Sequence, residues 1–477
     1  MSVPPAAVSA PTAAPAATEP AAAPARALEA REGGLRRTLG AGQITMIGLG
    51  GAIGTGLFLG SSIAIHYAGP AVLLSYLLAA LITVVIVFSL SEMAVVHPVA
   101  GSFGSYAELY LGPLAGFLLR TTYAMGQVLV IGSEAVAVGT YASYWFPAAG
   151  PLPFALASIV LVAWLNSRPV ARFASVETLL TALKVGAIVF FIAVGVVRLL
   201  GVSGTSPGFS NLTGLPGGFL PHGLGGVWMA SLAALFSFFG IEFVVATAGE
   251  AADPGRAIPA ALRTMALRLV LFYGLGIGVL VTLLPWTTTG AGTVAGSPFV
   301  RVCESVGIPG AATLMNGVVT IAALSAMNTS LYLSARMLFS LAKAGDAPAL
   351  LGRLSDAAVP RNASLVIAGA ALVAVLAAFA TPSAYGVLFG IALFAGVFGW
   401  VMILLSHLGF RRAHAGRALA LRMPLFPWLQ WAALLVLGAL VVTMAFDAEF
   451  WRIAPLTGLP WLALMAVIYR LRHRETP

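Results

Sequence analysis

Three ionisable residues lie in stretches of the chain that are otherwise apolar: Glu134, Lys184 and Glu242. Glu134 falls about eleven residues, roughly 16 Å of helix, from one end of its apolar run, and Lys184 about nine residues, roughly 14 Å, from an end of its own. An unpaired charge at that depth in hydrocarbon costs at least about 2.5–3.5 kcal/mol, so it is paired, neutralised or put to use. An amine stripped of water gives up its proton readily, which suits lysine to the last role. Lys184 is therefore read as a proton carrier whose ammonium, in one state, takes the place of a coupling cation. Glu134 is its partner or a group that senses substrate, and a static ion pair between the two is the alternative. Glu242 either faces a bound substrate or ties down backbone.

Glycine supplies the second signal. Gly48, Gly50, Gly51, Gly54 and Gly56 fall within one short run, with Gly54 roughly 16 Å into its span and so near the bilayer centre. Unpaired backbone at that depth is tolerated only where it lines an enclosed cavity. A close-packed helix interface through Gly50 and Gly54 is the alternative. The run fits neither phosphate-binding pattern, GxGxxG or GxxxxGK. A second break is expected in Phe236-Ser237-Phe238-Phe239-Gly240-Ile241-Glu242. Paired interruptions at matching places in two inverted halves are the sequence signature of a transport site. Half-helix N-termini attract a carboxylate and unwound carbonyls an ammonium, so a zwitterionic amino acid suits both.

The elements that must position these groups follow from composition. Of 477 residues, 60% are hydrophobic and 9% charged, with mean hydropathy +0.98, against about 25% charged in an ordinary soluble domain. That excludes a soluble enzyme, a coiled coil and disorder over most of the length. The fold class is an all-α membrane protein of about 12 transmembrane helices, predicted near 43–65, 70–97, 114–145, 152–167, 175–200, 225–250, 260–286, 310–343, 363–381, 386–410, 427–447 and 452–470. No barrel-type alternation is present. Residues 1–38 read as a disordered Ala/Pro-rich cytoplasmic tail, 39–425 as a ten-helix inverted-repeat core, and 426–477 as two further helices with a short tail. No cleavable signal pattern precedes the first helix, which is expected to act as its own anchor.

With the N-terminus inside, 20 of the 25 Lys and Arg fall on the inner side, while Arg198, Arg301 and Arg452 fall outside. The net charge of +9 is thus a topology signal that places both termini in the cytoplasm of an inner or plasma membrane, and it calls for no nucleic acid. The single cysteine, Cys303, excludes an intramolecular disulfide. Glu92 and Glu250 sit near inner helix ends, where pairs with basic loops are expected, and His407 reads as a packed histidine. No metal-ligand spacing, nucleophile context or cofactor motif is found.

The stretches IGLGGAIGTGLFLGSS (47–62), SEMAVVHPVAGSFGSYAELYLGP (91–113), FSFFGIEFVVATAGEAADPGRAIPAALR (236–263) and NTSLYLSARMLFSLAKAGDAP (328–348) together resemble the amino acid–polyamine–organocation superfamily, and within it the bacterial amino acid transporter family. The resemblance implies a five-plus-five inverted repeat with helices 1 and 6 interrupted, alternating access, and proton-coupled uptake of an amino acid. It puts the substrate carboxylate on backbone amides near Thr55 and Gly56. The amine falls near the carbonyls of Ala52, Phe236 and Phe239; Gly54, Gly240 and Glu242 are counted with these as substrate-binding residues from their place in the two breaks. It makes Phe236 an aromatic gate, puts Lys184 in the place of a sodium ion, and matches Glu134 to a third-helix acid. Partners so implied are the amino acid, protons and membrane lipids. The chain departs from the family at Phe239 and Ile241, where many members carry a polar pair, and its pocket wall is correspondingly more apolar. Exchange or export, or a sensor that turns over little, are the other functions considered; an enzyme is not expected.

Overall fold

The computed structural model describes residues 22–31, 35, 37–99, 101–201, 208–247, 250–288, 298–381, 384–419, 421–447 and 450–474. Residues 1–21 of the expected tail lie outside the described residues. Residues 32–34 and 36 do as well, and between them Ala22–Arg31 forms a helix, α1, whose Arg31 makes two 2.7 Å bonds to the Glu108 carboxylate.

The first pass begins as α2 (Ala41–Ala52), breaks, and resumes through a π turn (Gly56–Gly60) into α3 (Ser61–Ala68). A tight turn at Gly69–Ala71 returns the chain as α4 (Val72–Val96). Ala41–Val96 is thus one apolar stretch of 56 residues folded into two passes. The short α5 (Ser102–Leu111) leads into α6 (Pro113–Ala142), α7 (Pro151–Asn166) and α8 (Val170–Leu199). After α9 (Ser210–Thr213), the sixth pass runs as α10 (Gly223–Phe238), breaks, and continues as α11 (Phe243–Ala246). Then follow α12 (Pro254–Leu283), the short α13 (Pro298–Ser305), α14 (Ala311–Lys343), α15 (Arg361–Ala378), α16 (Ala384–Ala413), α17 (Trp428–Met444) and α18 (Ile453–Arg472).

Local sequence sets several helix starts. Proline opens α6, α7 and α12, where its missing N–H is no loss. At α12 the Asp253 side chain also accepts from the Arg256 amide at 3.3 Å, capping the first turn. Lengths fit the membrane. The helices α6, α8, α12 and α16 each have 30 residues and α14 has 33, which is about 45 Å of helix or more.

Twelve passes result among the described residues, ten of them forming two five-pass halves that each open with an interrupted helix. α6 and α14, the third pass of each half, pack along one another at the centre, and α16 flanks α6. The outward faces of α8, α12 and α18 carry Leu179, Leu183, Leu267, Leu271, Leu464 and Val467, exposed as lipid-solvated side chains must be. The polar side chains Ser75, Thr83, Thr181, Ser325, Asn328 and Ser406 are instead buried between helices.

Candidate functional site

At the first break, α2 stops at Ala52 and leaves carbonyls without intrahelical partners. Lys184 of α8, 1% exposed, supplies them: its Nζ donates to Gly50 O at 2.5 Å, Ile53 O at 2.8 Å and Ser325 Oγ at 2.8 Å. A cation thus sits at the negative end of a half-helix. On the other side of the break, the Thr55 amide donates to both oxygens of Glu134 of α6, at 3.1 and 3.3 Å. An anion thus sits at the positive end. The two charges bind opposite faces of one interruption instead of each other, so the direct pairing of Lys184 with Glu134 expected from depth alone is replaced by pairing through backbone.

At the second break, α10 ends at Phe238, Phe239 is extended, and Gly240 takes φ +104°. A Cβ at Gly240 would lie 2.5 Å from the Gly51 carbonyl carbon and 2.6 Å from the Ala52 nitrogen. The two unwound segments therefore touch backbone to backbone, which only glycine permits. Glu242, fully buried, accepts from the Gly240 amide at 3.2 Å, from Trp400 Nε1 at 3.4 Å and from the Tyr123 hydroxyl. Its bond to the Gly240 amide is the contact that the second of its two expected roles, tying down unwound backbone, calls for. The glycine run divides likewise. Gly48 presses α2 onto Val244 and Met265, a packing role, Gly51 packs on Phe243 where both line the cavity, and Gly54 and Gly56 face Glu134 and Phe236 inside the break.

Between the breaks lies a cavity lined by Ala52, Gly54, Gly56, Glu134, Phe236, Phe239 and Gly240, and by Tyr123, Gly126, Gln127, Val130, Ala326, Ser330, Ala392, Ala395 and Gly396 from α6, α14 and α16. The space open to the centres of water molecules is about 30 Å³, room for roughly two waters. The Phe239 ring lies on Gly396 and edge-on to Trp400, 4.8 Å between centroids, and lines the cavity there.

Aromatic rings close one side: Phe236 meets Phe389 at 4.0 Å, Tyr385 stacks on Phe389, and Trp451 from the α17–α18 connection packs behind at 6.1 Å. The Thr55 hydroxyl and the Tyr385 hydroxyl lie 3.2 Å apart. On the other side, Arg336 of α14 pairs with Glu250, which also accepts from the Tyr332 hydroxyl, and Phe173 of α8 stacks flat on Tyr332 at 4.5 Å. Leu39 hydrogen-bonds through its backbone to Glu250 and Ala252, 3.0 Å each.

Of the ten residues expected at the site, Ala52, Gly54, Gly56, Glu134, Phe236, Phe239 and Gly240 line the cavity, whereas Thr55, Lys184 and Glu242 lie at the two breaks and are not part of its lining. Ala52, Thr55, Phe236 and Glu242 are each engaged within the protein: Ala52 O accepts from Tyr273 at 2.8 Å, and Phe236 O accepts from the Phe239 amide at 3.1 Å. One acid escaped the sequence reading. Glu177 of α8, fully buried, accepts from Ser325 Oγ, Asn328 Nδ2 (2.8 Å) and Thr181 Oγ1 (3.3 Å). Its signal was the spacing Glu177, Thr181, Lys184, which puts three polar side chains on one helix face. Elsewhere Glu92 pairs with His407 at 2.8 Å and Arg411 at 3.1 Å, both on α16. Cys303 is buried and free in α13. His66 lies in the last turn of α3. Among the described residues no cluster of metal-ligand type is present.

Comparison with known proteins gives the following likenesses. A family model described as amino acid permease matches residues 43–474. The uncharacterized amino acid permease YtnA of Bacillus subtilis is 37% identical over 442 residues, 91% of this chain and 94% of its own length. The aromatic amino acid transport protein AroP of Escherichia coli K12 is 40% identical over 414 residues, 86% of this chain and 90% of its own. A putative histidine permease of B. subtilis is 35% identical over 454 residues, covering 93% and 94%. Among solved structures, a manganese transporter mutant from Eremococcus coleocola aligns with TM-score 0.56 at 12% identity, over 90% of this chain and 92% of its own, a likeness of fold.

Proposed function

This chain belongs to the amino acid permease family and transports amino acids across a membrane; from that premise we propose that it is a proton-coupled importer working by alternating access, with Lys184 as the proton carrier. The observation that carries this reading is the position of Lys184, whose ammonium holds the carbonyls of Gly50 and Ile53 at the first break. Protonated, it fixes α2 against α8. Deprotonated, it offers at most two N–H donors where three acceptors are now bound, and the half-helix is released. A proton thereby controls whether the inner half of the first pass can swing.

In this reading the substrate carboxylate binds the amides of Thr55 and Gly56, where the Glu134 carboxylate now stands. The amine binds carbonyls of the two breaks. The side chain enters the space filled by Phe239, between Val130, Ala392, Ala395 and Gly396. That wall is apolar and floored by small residues, which suits a large apolar or aromatic side chain, in keeping with the name of the AroP relatives. Phe236 with Phe389 forms the outer gate, and Glu250 with Arg336 the inner. The excess of Arg on the inner loops supports an inner membrane with both termini cytoplasmic.

The test is uptake of labelled amino acids, aromatic and aliphatic, into proteoliposomes with and without a proton gradient directed inward. Gradient-driven accumulation of an aromatic substrate is expected, with Lys184→Ala retaining exchange but not accumulation. Uptake indifferent to the gradient would refute proton coupling.

A further inference from the structure

Glu177 has no place in the transport cycle as described so far, yet it is the acid bonded most closely to the surroundings of Lys184. The ammonium donates to Ser325 Oγ at 2.8 Å, and the same hydroxyl donates to Glu177 Oε1. Donor, hydroxyl and acceptor are thus in line, with the serine hydrogen directed away from the lysine. Glu177 lies about two helical turns nearer than Lys184 to the Val170 end of α8. The second Glu177 oxygen is held by Asn328 Nδ2 at 2.8 Å, and Asn328 in turn accepts from Asn166 Nδ2 at 2.8 Å. Over the carboxylate lies α2: a Cβ on Gly50 would collide with Glu177 Oε1, and Thr181 Oγ1 donates to Met46 O at 3.1 Å. The half-helix that Lys184 holds in place is therefore also the lid on Glu177.

We infer that Glu177 takes the proton from Lys184 through the Ser325 hydroxyl and delivers it to the inner side when the inner half of α2 moves away. In the transfer one Nζ–H bond breaks as its proton bonds to Ser325 Oγ, and the Oγ–H bond breaks as that proton bonds to Glu177 Oε1. The ammonium becomes an amine and the carboxylate a carboxylic acid, with no electrons exchanged. Two buried charges vanish together, so the step needs no outside counterion. The charged groups facing Lys184 are Glu177 on its own helix and Glu134 on α6. Among the described residues, α2 and α14 present only carbonyls, hydroxyls and amides to this chain of groups, α7 the Asn166 amide, and α12 the Tyr273 hydroxyl.

This inference rests on the proton-coupled reading above, and one experiment separates the two. Purified protein in proteoliposomes is assayed for accumulation driven by a proton gradient and for counterflow of labelled against unlabelled substrate. Glu177→Gln and Ser325→Ala are each expected to lower gradient-driven accumulation by about tenfold or more, the scale of a lost proton-transfer group, while counterflow persists. Ser325→Thr, which restores the hydroxyl, is expected to recover accumulation. Accumulation by Glu177→Gln at the wild-type level overturns the inference. So does joint loss of accumulation and counterflow, which marks a structural role, and so does a Ser325→Thr variant no better than Ser325→Ala. A wild-type protein that never responds to the gradient overturns the proton-coupled reading and this inference with it.

Discussion

Replacing Gly240 by alanine tests whether the contact between the two breaks shapes the binding site. The added Cβ would stand 2.6 Å from the Ala52 nitrogen, about 0.9 Å inside the ~3.5 Å at which carbon atoms pack comfortably. Its neighbours are backbone, so no side chain can swing aside. The φ of +104° adds roughly 1–3 kcal/mol of strain for a residue with a Cβ. The two unwound segments must separate by most of an ångström, and they carry the Thr55 amide and the Phe239 carbonyl. A misplacement of ~1 Å at such a site costs on the order of 100-fold, or about 2.7 kcal/mol. Equilibrium binding of labelled substrate to detergent-purified Gly240→Ala is therefore expected to weaken about 100-fold. Gly317→Ala serves as control, because a Cβ there meets nothing within 4 Å and alanine is the better helix former by about 0.5–1 kcal/mol. Affinity of Gly240→Ala within about threefold of wild type would show that the breaks do not form the site.

Three further outcomes are expected. Glu134→Gln removes the anion that competes at the Thr55 amide, so substrate binding should tighten about fivefold, for the ~1 kcal/mol an anion gains at a helix N-terminus; weaker binding would make Glu134 a direct contact. Arg336→Met strands a buried Glu250 and should destabilise the protein by about 3–5 kcal/mol in a thermal melt, with partial recovery when Glu250→Gln is added; equal melting of single and double variants argues against a buried pair. On the loop helix α5, burial pushes the Glu108 carboxyl up, but the Arg31 and Arg120 guanidinium groups outweigh it and hold it below the usual carboxylate range. Its stabilising contribution is therefore present above the ordinary carboxylate range and lost as pH falls through the depressed value. Protection of the α1 amides from hydrogen exchange should decline on acidification, and Glu108→Gln should lower that protection at neutral pH.

The passes and both interruptions were legible because lipid imposes a simple rule: every span is apolar, and a glycine cluster or a carboxylate within one stands out. Gly54, Gly240, Glu134 and Lys184 announced themselves in this way. What depth could not supply was the partner of each charge. Glu134 and Lys184 come to similar depth on different helices, yet each meets backbone of the first pass, because Gly50, Ile53 and Thr55 expose their carbonyls and amide only once the helix has broken. Glu177 went unread because it lies only two residues inside the predicted start of its helix, where an acid is unremarkable. Its burial comes from Gly50, Ser325 and Asn328, which are remote in sequence. The α1 helix was hidden by an Ala/Pro-rich composition, and it is the ion pairing of Arg31 that docks it.

The backbone pairing of Leu39 with Glu250 and Ala252 has a mechanical consequence. Leu39 closely precedes α2, and Glu250 closely follows α11, so two peptide hydrogen bonds yoke the neighbouring ends of both interrupted helices. Neither half-helix can then tilt alone without tearing the yoke. Under the alternating-access reading proposed above, the stroke on that side moves both half-helices together as a single lever.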